Sequence, residues 1–348
     1  MAIRAHFYKH TLNFNFDAGT SRGVLRKKDS YYLRLWDTDA PELFGLGEAG
    51  PLAGLSPDFG IVAEEKLRRI CEEINRGNWE EENLDAFPSV AFALETAFAD
   101  LRNGGVRKIF DNDFYRKRSP IPINGLIWMG QKGFMKEQIV EKIKAGFTTI
   151  KLKIGAIDFA EELHLLRFIR TEFAAENLVL RVDANGAFSS AEALEKLKRL
   201  SEYGLHSIEQ PIAVHQEETL AALCEKTPVP IALDEELIPN YGRKEALLSL
   251  VRPQYIILKP GLMGGMGGSR GWIEAAEKFG SGWWITSALE SNIGLNAICQ
   301  FTAEFDNPLP QGLGTGKLYT NNIGSPLEIY QGSIYYDSSR PWDLSYFS

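Results

Sequence analysis

Asp183, Glu209, Asp234 and Lys259 follow one another at steps of 26, 25 and 25 residues, and each closes a short apolar run. The runs are Val179-Leu-Arg-Val-Asp183, Leu205-His-Ser-Ile-Glu209, Pro230-Ile-Ala-Leu-Asp234 and Tyr255-Ile-Ile-Leu-Lys259. About 25 residues make one strand and one crossover helix, so the same position recurs in successive βα units. In a closed parallel barrel such strand ends meet at one mouth, where chemistry is done. Three carboxylates aimed at one point repel one another unless a cation lies between them. An all-oxygen set suits a hard ion, Mg²⁺ foremost, with Mn²⁺ as a substitute. Asp183, Glu209 and Asp234 are therefore candidate metal ligands.

Upstream stands Thr148-Thr-Ile-Lys-Leu-Lys-Ile154. Lys151 and Lys153 are two apart, so on a strand they point the same way. In a barrel that direction is the interior, where an unpaired ammonium is costly. A cation and Lys151 close by would lower the pKa of Lys153 and make it a base. Lys153, Lys259 and Lys151 are the candidate catalytic residues. Taken singly, the motifs are bland. Asp183-Ala-Asn-Gly186 reads as a turn, Asp234-Glu-Glu236 as a helix cap and Lys259-Pro-Gly261 as a loop start. Their common phase on successive strands is what argues for a site.

The elements that must carry these residues begin near Pro122. Strand-like runs fall near 123–129, 148–154, 179–184, 206–210, 230–234, 254–259, 283–288 and 309–313, with amphipathic helical runs between them. This predicts an α/β fold, a modified (β/α)7β TIM-type barrel over 119–319. Residues 1–118 do not repeat as βα units. They read as an α+β capping domain, with strands at 3–16 and 31–37 and helices at 62–76 and 88–103. Residues 17–23 read as a flexible loop that, with residues near 50–56, closes over substrate and excludes water. The polar, aromatic tail 320–348 is expected to return to the capping domain. The glycine-rich stretch 261–268 lacks the lysine and hydroxyl of a phosphate loop and is expected to be a close-approach loop at the mouth, as is 312–317.

The formal charge is −8, from 38 basic and 46 acidic residues, and no basic run offsets it, which argues against a nucleic-acid partner. No apolar run nears the roughly 18–20 residues of a membrane span. The first ten residues lack the apolar core of a signal peptide. Cys71, Cys224 and Cys299 show no pairing or metal spacing. A cytoplasmic protein is expected, with homo-oligomerisation left open. The five histidines show no zinc spacing.

Lys151-Leu-Lys153, Asp183-Ala-Asn, Glu209-Gln-Pro, Asp234-Glu and Lys259-Pro together resemble the enolase superfamily in its muconate-lactonizing branch, over nearly the whole chain. The resemblance implies that the three acids hold Mg²⁺ and that Lys153 and Lys259 flank, on opposite faces, the carbon that loses a proton, giving an enediolate. Within the branch, Gly45-Leu-Gly-Glu-Ala-Gly50, Pro88-Ser-Val-Ala-Phe92, Pro122-Ile-Asn-Gly-Leu-Ile127 and Gln311-Gly-Leu-Gly-Thr-Gly316 resemble the o-succinylbenzoate synthase family of menaquinone biosynthesis. That implies a lyase: syn-dehydration of a succinyl-hydroxycyclohexadiene carboxylate. N-acylamino acid racemisation and dipeptide epimerisation use the same parts. The epimerases typically carry Asp-x-Asp at the eighth strand, where this chain reads Gly312-Leu-Gly-Thr. A metal-dependent binding protein would need neither lysine. Ser21 and Arg22 of the 17–23 loop, Ser287 and Gly312 are the candidate substrate contacts.

Overall fold

The computed structural model describes residues 2–20, 23–128, 130–238 and 240–347. The chain opens with an antiparallel sheet of β1 (Ile3–Thr20), β2 (Gly23–Asp37) and β3 (Ala40–Ala49), followed by α1 (Ile61–Arg76) and α2 (Pro88–Arg102). Leu33 and Leu35 of the sheet pack against Leu67 and Ile70 of α1 and against Val90, Ala93 and Ala97 of α2. The alternation in Gly45-Leu-Gly-Glu has a steric cause. A Cβ on Gly45 would stand 2.0 Å from the Ala97 carbonyl oxygen, and one on Gly47 1.9 Å from that of Ala93. Helix α2 lies directly on the backbone of β3. Gly47→Ala should therefore destabilise the protein by about 2 kcal/mol or more, as overpacking does. The urea midpoint checks this, with Gly133→Ala, whose Cβ meets open space, as the silent control.

The expected loop at 17–23 is not a loop in its described part. Strand β1 runs on to Thr20 and β2 starts at Gly23, with Ala18 paired to Leu25 after a register shift that begins at Asn13. Small residues suggested flexibility, but the shift re-aligns them, and Asp17 is held across the pair by Arg26 at 2.7 Å.

After α3 (Asp113–Lys117) and the short β4 (Ile121–Pro122), seven parallel strands alternate with helices. They are β5 (Gly125–Ile127), α4 (Lys132–Lys144), β6 (Thr149–Lys153), α5 (Phe159–Glu172), β7 (Val179–Asp183), α6 (Ala193–Ser201), β8 (Ser207–Glu209), α7 (Glu217–Lys226), β9 (Ile231–Leu233), α8 (Lys244–Val251), β10 (Tyr255–Leu258), α9 (Gly265–Phe279), β11 (Gly282–Ile285) and α10 (Asn292–Thr302). Their order in the sheet follows the sequence. Strands covered on both faces need continuous apolar runs, and β8 and β9 are buried at every residue.

The expected eighth strand is reduced to two residues. Gln311 bridges Ile123 and Gly312 bridges Thr286, both in parallel sense. Gln311 N donates to Pro122 O at 2.8 Å and Gly312 N to Ile285 O at 2.8 Å, which joins the two ends of the sheet into a ring. A Cβ on Gly312 would meet Thr286 Oγ1 at 2.1 Å, so only glycine lets this stave close.

The stretch 261–268 corrects another expectation. It is a 3₁₀ turn over Pro260–Leu262 followed by the first turn of α9. Glycine is a poor helix former, which hid the helix in the sequence. The space is used by Glu95 of α2, which accepts from Met266 N at 2.5 Å and Gly267 N at 3.1 Å and so caps α9. After α10, β12 (Leu327–Tyr330) pairs with β13 (Ser333–Tyr336), which pairs with β4. Phe347 then packs on Tyr8 and Tyr32 of the first sheet.

Candidate active site

The parallel register sets the site. Lys153, Asp183 and Glu209 are paired neighbours at the ends of β6, β7 and β8. Asp234 follows β9 and Lys259 follows β10 directly. Three strands separate β6 from β10, so Lys153 and Lys259 reach the mouth from opposite sides. Lys151 Nζ donates to Asp183 Oδ2 at 3.0 Å and Glu209 Oε2 at 2.7 Å. Lys153 Nζ donates to Asp183 Oδ2 at 3.0 Å and to Asn185 Oδ1 at 2.8 Å. Lys259 Nζ donates to Asp234 Oδ2.

Burial pushes each carboxyl group upward, and the neighbours decide the outcome. Lys151 and Lys153 outweigh burial at Asp183 and hold it well below the usual carboxylate range. Lys259 does the same for Asp234. Glu209 is raised well above its ordinary value by burial and by the Asp183 charge beside it. Burial would lower Lys151, but Asp183 and Glu209 outweigh it and raise it.

Asn185 was quoted in the motif without a role. Its N–H closes on Asp183 Oδ1 at 3.0 Å, and its φ of +44° lies in the left-handed region that Asn tolerates. The turn reading is thus correct, and the turn also places the Asn185 amide between Lys153 and Glu235 Oε1, 2.9 Å away.

A cavity of about 200 Å³ lies over these groups. Its floor is Lys151, Lys153, Asp183, Glu209, Asp234 and Lys259. Its walls are apolar, with Leu25, Leu52 and Leu55 from the first part of the chain and Trp128 and Leu289 from the barrel. Phe14 and Phe16 of β1 stack edge-on against Trp128. Ser287 and Gly312 both line the cavity. Their polar atoms are engaged: Ser287 Oγ donates to Glu290 Oε2 at 2.6 Å, and the Gly312 carbonyl accepts from Ser287 N and Thr286 Oγ1. Ser21 and Arg22 lie outside the described residues. Sequence reading missed Asn124 and Thr315, neutral polar groups on the wall. The Thr315 hydroxyl is buried with no hydrogen-bond partner among the described residues. Its only sequence signal was the Gly-Leu-Gly-Thr-Gly run.

No three acidic, histidine or cysteine side chains among the described residues stand together as a ready ligand set, because ammonium groups lie between the carboxylates. The donors nevertheless fit a hard cation. They are all oxygen, they come from three adjacent strands, and Glu209 Oε1 and Asp234 Oδ1 are buried with no hydrogen-bond partner among the described residues. No described helix is long and apolar enough to cross a membrane.

Residues 135–339 match the family described as Enolase C-terminal domain-like. The o-succinylbenzoate synthase of Desulfotalea psychrophila is 46% identical over 94% of this chain and 97% of its own length. The N-succinylamino acid racemase of Thermus thermophilus is 34% identical over 81% of this chain and 77% of its own. The crystal structure of MenC from Desulfotalea psychrophila matches with a TM-score of 0.85 at 40% identity, covering 96% of this chain and all of that one.

Proposed function

The chain belongs to the enolase superfamily, and from that premise we propose that it is an o-succinylbenzoate synthase, a hydro-lyase of menaquinone biosynthesis. The observation that carries this reading is the cavity itself. Two lysines approach from opposite sides of three carboxylate-bearing strands, under walls that are mostly apolar and, among the described residues, carry no anion to hold a substrate ammonium. That matches a ring carboxylate with an uncharged ring. The identity to the Desulfotalea synthase supports it.

Asp183, Glu209 and Asp234 would hold Mg²⁺, or Mn²⁺ in its place, and the bound ion supplies a Lewis acid for the substrate carboxylate. Lys153 removes the proton alpha to that carboxylate. Asn185 and Asp183 hold its amino head in line. Lys259, on the other face, presents a fixed positive charge to the anion that develops. The protonated Lys153 then gives its proton to the departing hydroxide on the same face, so water leaves and the ring becomes aromatic. Leu52 and Leu55 exclude solvent from above. In this proposal residues 1–118 with 320–348 act as a cap over the barrel of 119–319.

Racemisation of an N-acylated amino acid is the second reading, favoured by the Thermus relative. It would use Lys153 and Lys259 as a base and acid pair. The test compares kcat/KM for the two reactions, since specificity is a difference in transition-state stabilisation. Dehydration should exceed racemisation by at least about 10³, roughly 4 kcal/mol. The Gly312 backbone is engaged in closing the barrel and offers an amide-bearing substrate no partner. The reverse order would make the protein a racemase.

A further inference from the structure

Next to the cavity lies a buried ionic cluster that this chemistry does not use. Lys28 on β2, Glu48 on β3 and Glu290 between β11 and α10 are 5%, 0% and 1% exposed. Glu48 is fully engaged. Its Oε1 accepts from Ser30 Oγ at 2.7 Å and Ser291 N at 2.9 Å, and its Oε2 from Ser291 Oγ at 2.6 Å and Gly294 N at 2.9 Å. It thereby closes the first turn of α10 from the other side of the interface. Glu290 accepts from Ser287 Oγ, while its Oε1 is buried with no hydrogen-bond partner among the described residues. Lys28 Nζ donates to Ser30 Oγ at 3.2 Å. An ammonium and a carboxylate buried this way need a partner or lose their charge. Burial lowers Lys28 and raises Glu290, and the attraction of Glu48 and Glu290 for Lys28 opposes it.

Two glycines show where the charges meet. A Cβ on Gly50 would stand 2.6 Å from Lys28 Nζ, 3.5 Å from Glu48 Oε1 and 3.6 Å from Glu290 Cγ. One on Gly261 would stand 2.8 Å from Glu290 Oε1. Gly50 opens the segment that brings Leu52, Ala53 and Leu55 to the cavity. Gly261 lies two residues after Lys259. Lys28 of the first sheet thus reaches Glu48 through the Ser30 hydroxyl and lies near the Glu290 side chain of the barrel, at the root of the cavity's outer wall.

We propose that Lys28, Glu48 and Glu290 form a charge-compensated latch that seats the 50–56 segment over the cavity, so that they act as positioning residues for substrate binding. The substrate side of the claim rests on the function proposed above. Lys28→Met leaves two carboxylates facing each other without a cation. The wall should loosen, which weakens binding in the ground and transition states alike.

Three variants test it: Lys28→Met, Lys28→Met/Glu290→Gln, and Glu95→Gln, which breaks the separate joint on α9. Lys28→Met should raise KM about tenfold or more with kcat changed by less than about threefold, the signature of lost uniform binding. It should also speed proteolytic cleavage within 50–60. The double variant removes one charge of each sign and leaves Glu48 with its four donors. Its KM should return to within about threefold of the parent, a recovery that simple loss of contacts would not give. Glu95→Gln should lower Tm and leave KM unchanged. The latch is overturned if Lys28→Met leaves KM and cleavage unchanged, if the double variant is no better than the single, or if Glu95→Gln moves KM as much. Cleavage is read without substrate, so a parent that lacks dehydratase activity refutes the function and leaves the latch to be judged by proteolysis.

Discussion

Lys153→Ala abolishes dehydration, with kcat lowered by at least about 10⁴-fold. A positioned acid or base contributes roughly 10²–10⁴. Lys153 is assigned both duties in sequence, so one substitution removes both. No neighbour can take over. Lys151 is raised by Asp183 and Glu209, and Lys259 lies across the ring with three strands between. The variant should fold, because Asp183 keeps Lys151 as a partner. Rate measurements with the succinyl-hydroxycyclohexadiene carboxylate check the loss, and calorimetry checks the fold. Activity within tenfold of the parent would remove Lys153 from the mechanism.

A chelator should stop turnover by at least about 10³-fold, since Lewis-acid assistance is worth several kcal/mol. Added Mg²⁺ or Mn²⁺ should restore it, because hard oxygen donors accept both. The chelated protein should stay folded. Three ammonium groups lie within reach of the three carboxylates and offset their charge. Asp234→Asn should weaken Mn²⁺ binding, measured by titration calorimetry, and should also free Lys259, whose ammonium Asp234 holds. Full activity in chelator would retire the metal.

The phase of Asp183, Glu209, Asp234 and Lys259 was legible because a parallel strand fixes where its last residue points. Apolar runs buried on both faces leave little ambiguity about where each strand ends. What failed to read were places where tertiary contact overrides local preference. Glycines at 264–268 look like a loop, yet Glu95 from a distant helix supplies the helix cap. Residues 17–20 look flexible, yet pairing with β2 extends them. Asn185 looked like part of a turn and is one, and its second role needs Lys153 in space. Lys28, Glu48 and Glu290 carry no local signal, since they come together only when two halves of the chain dock.

Among the described residues, Gln311 and Gly312 alone close the ring. During synthesis, β5 and β11 therefore stay open edges until residues 311–312 have left the ribosome, and Phe347 reaches its place on β1 and β2 later still. The nascent chain carries an unpaired parallel sheet through most of translation, which exposes it to wrong pairing with other chains. Closure thus waits for residues 311–312, and products that stop before them fail as a class because the seam has nothing to join.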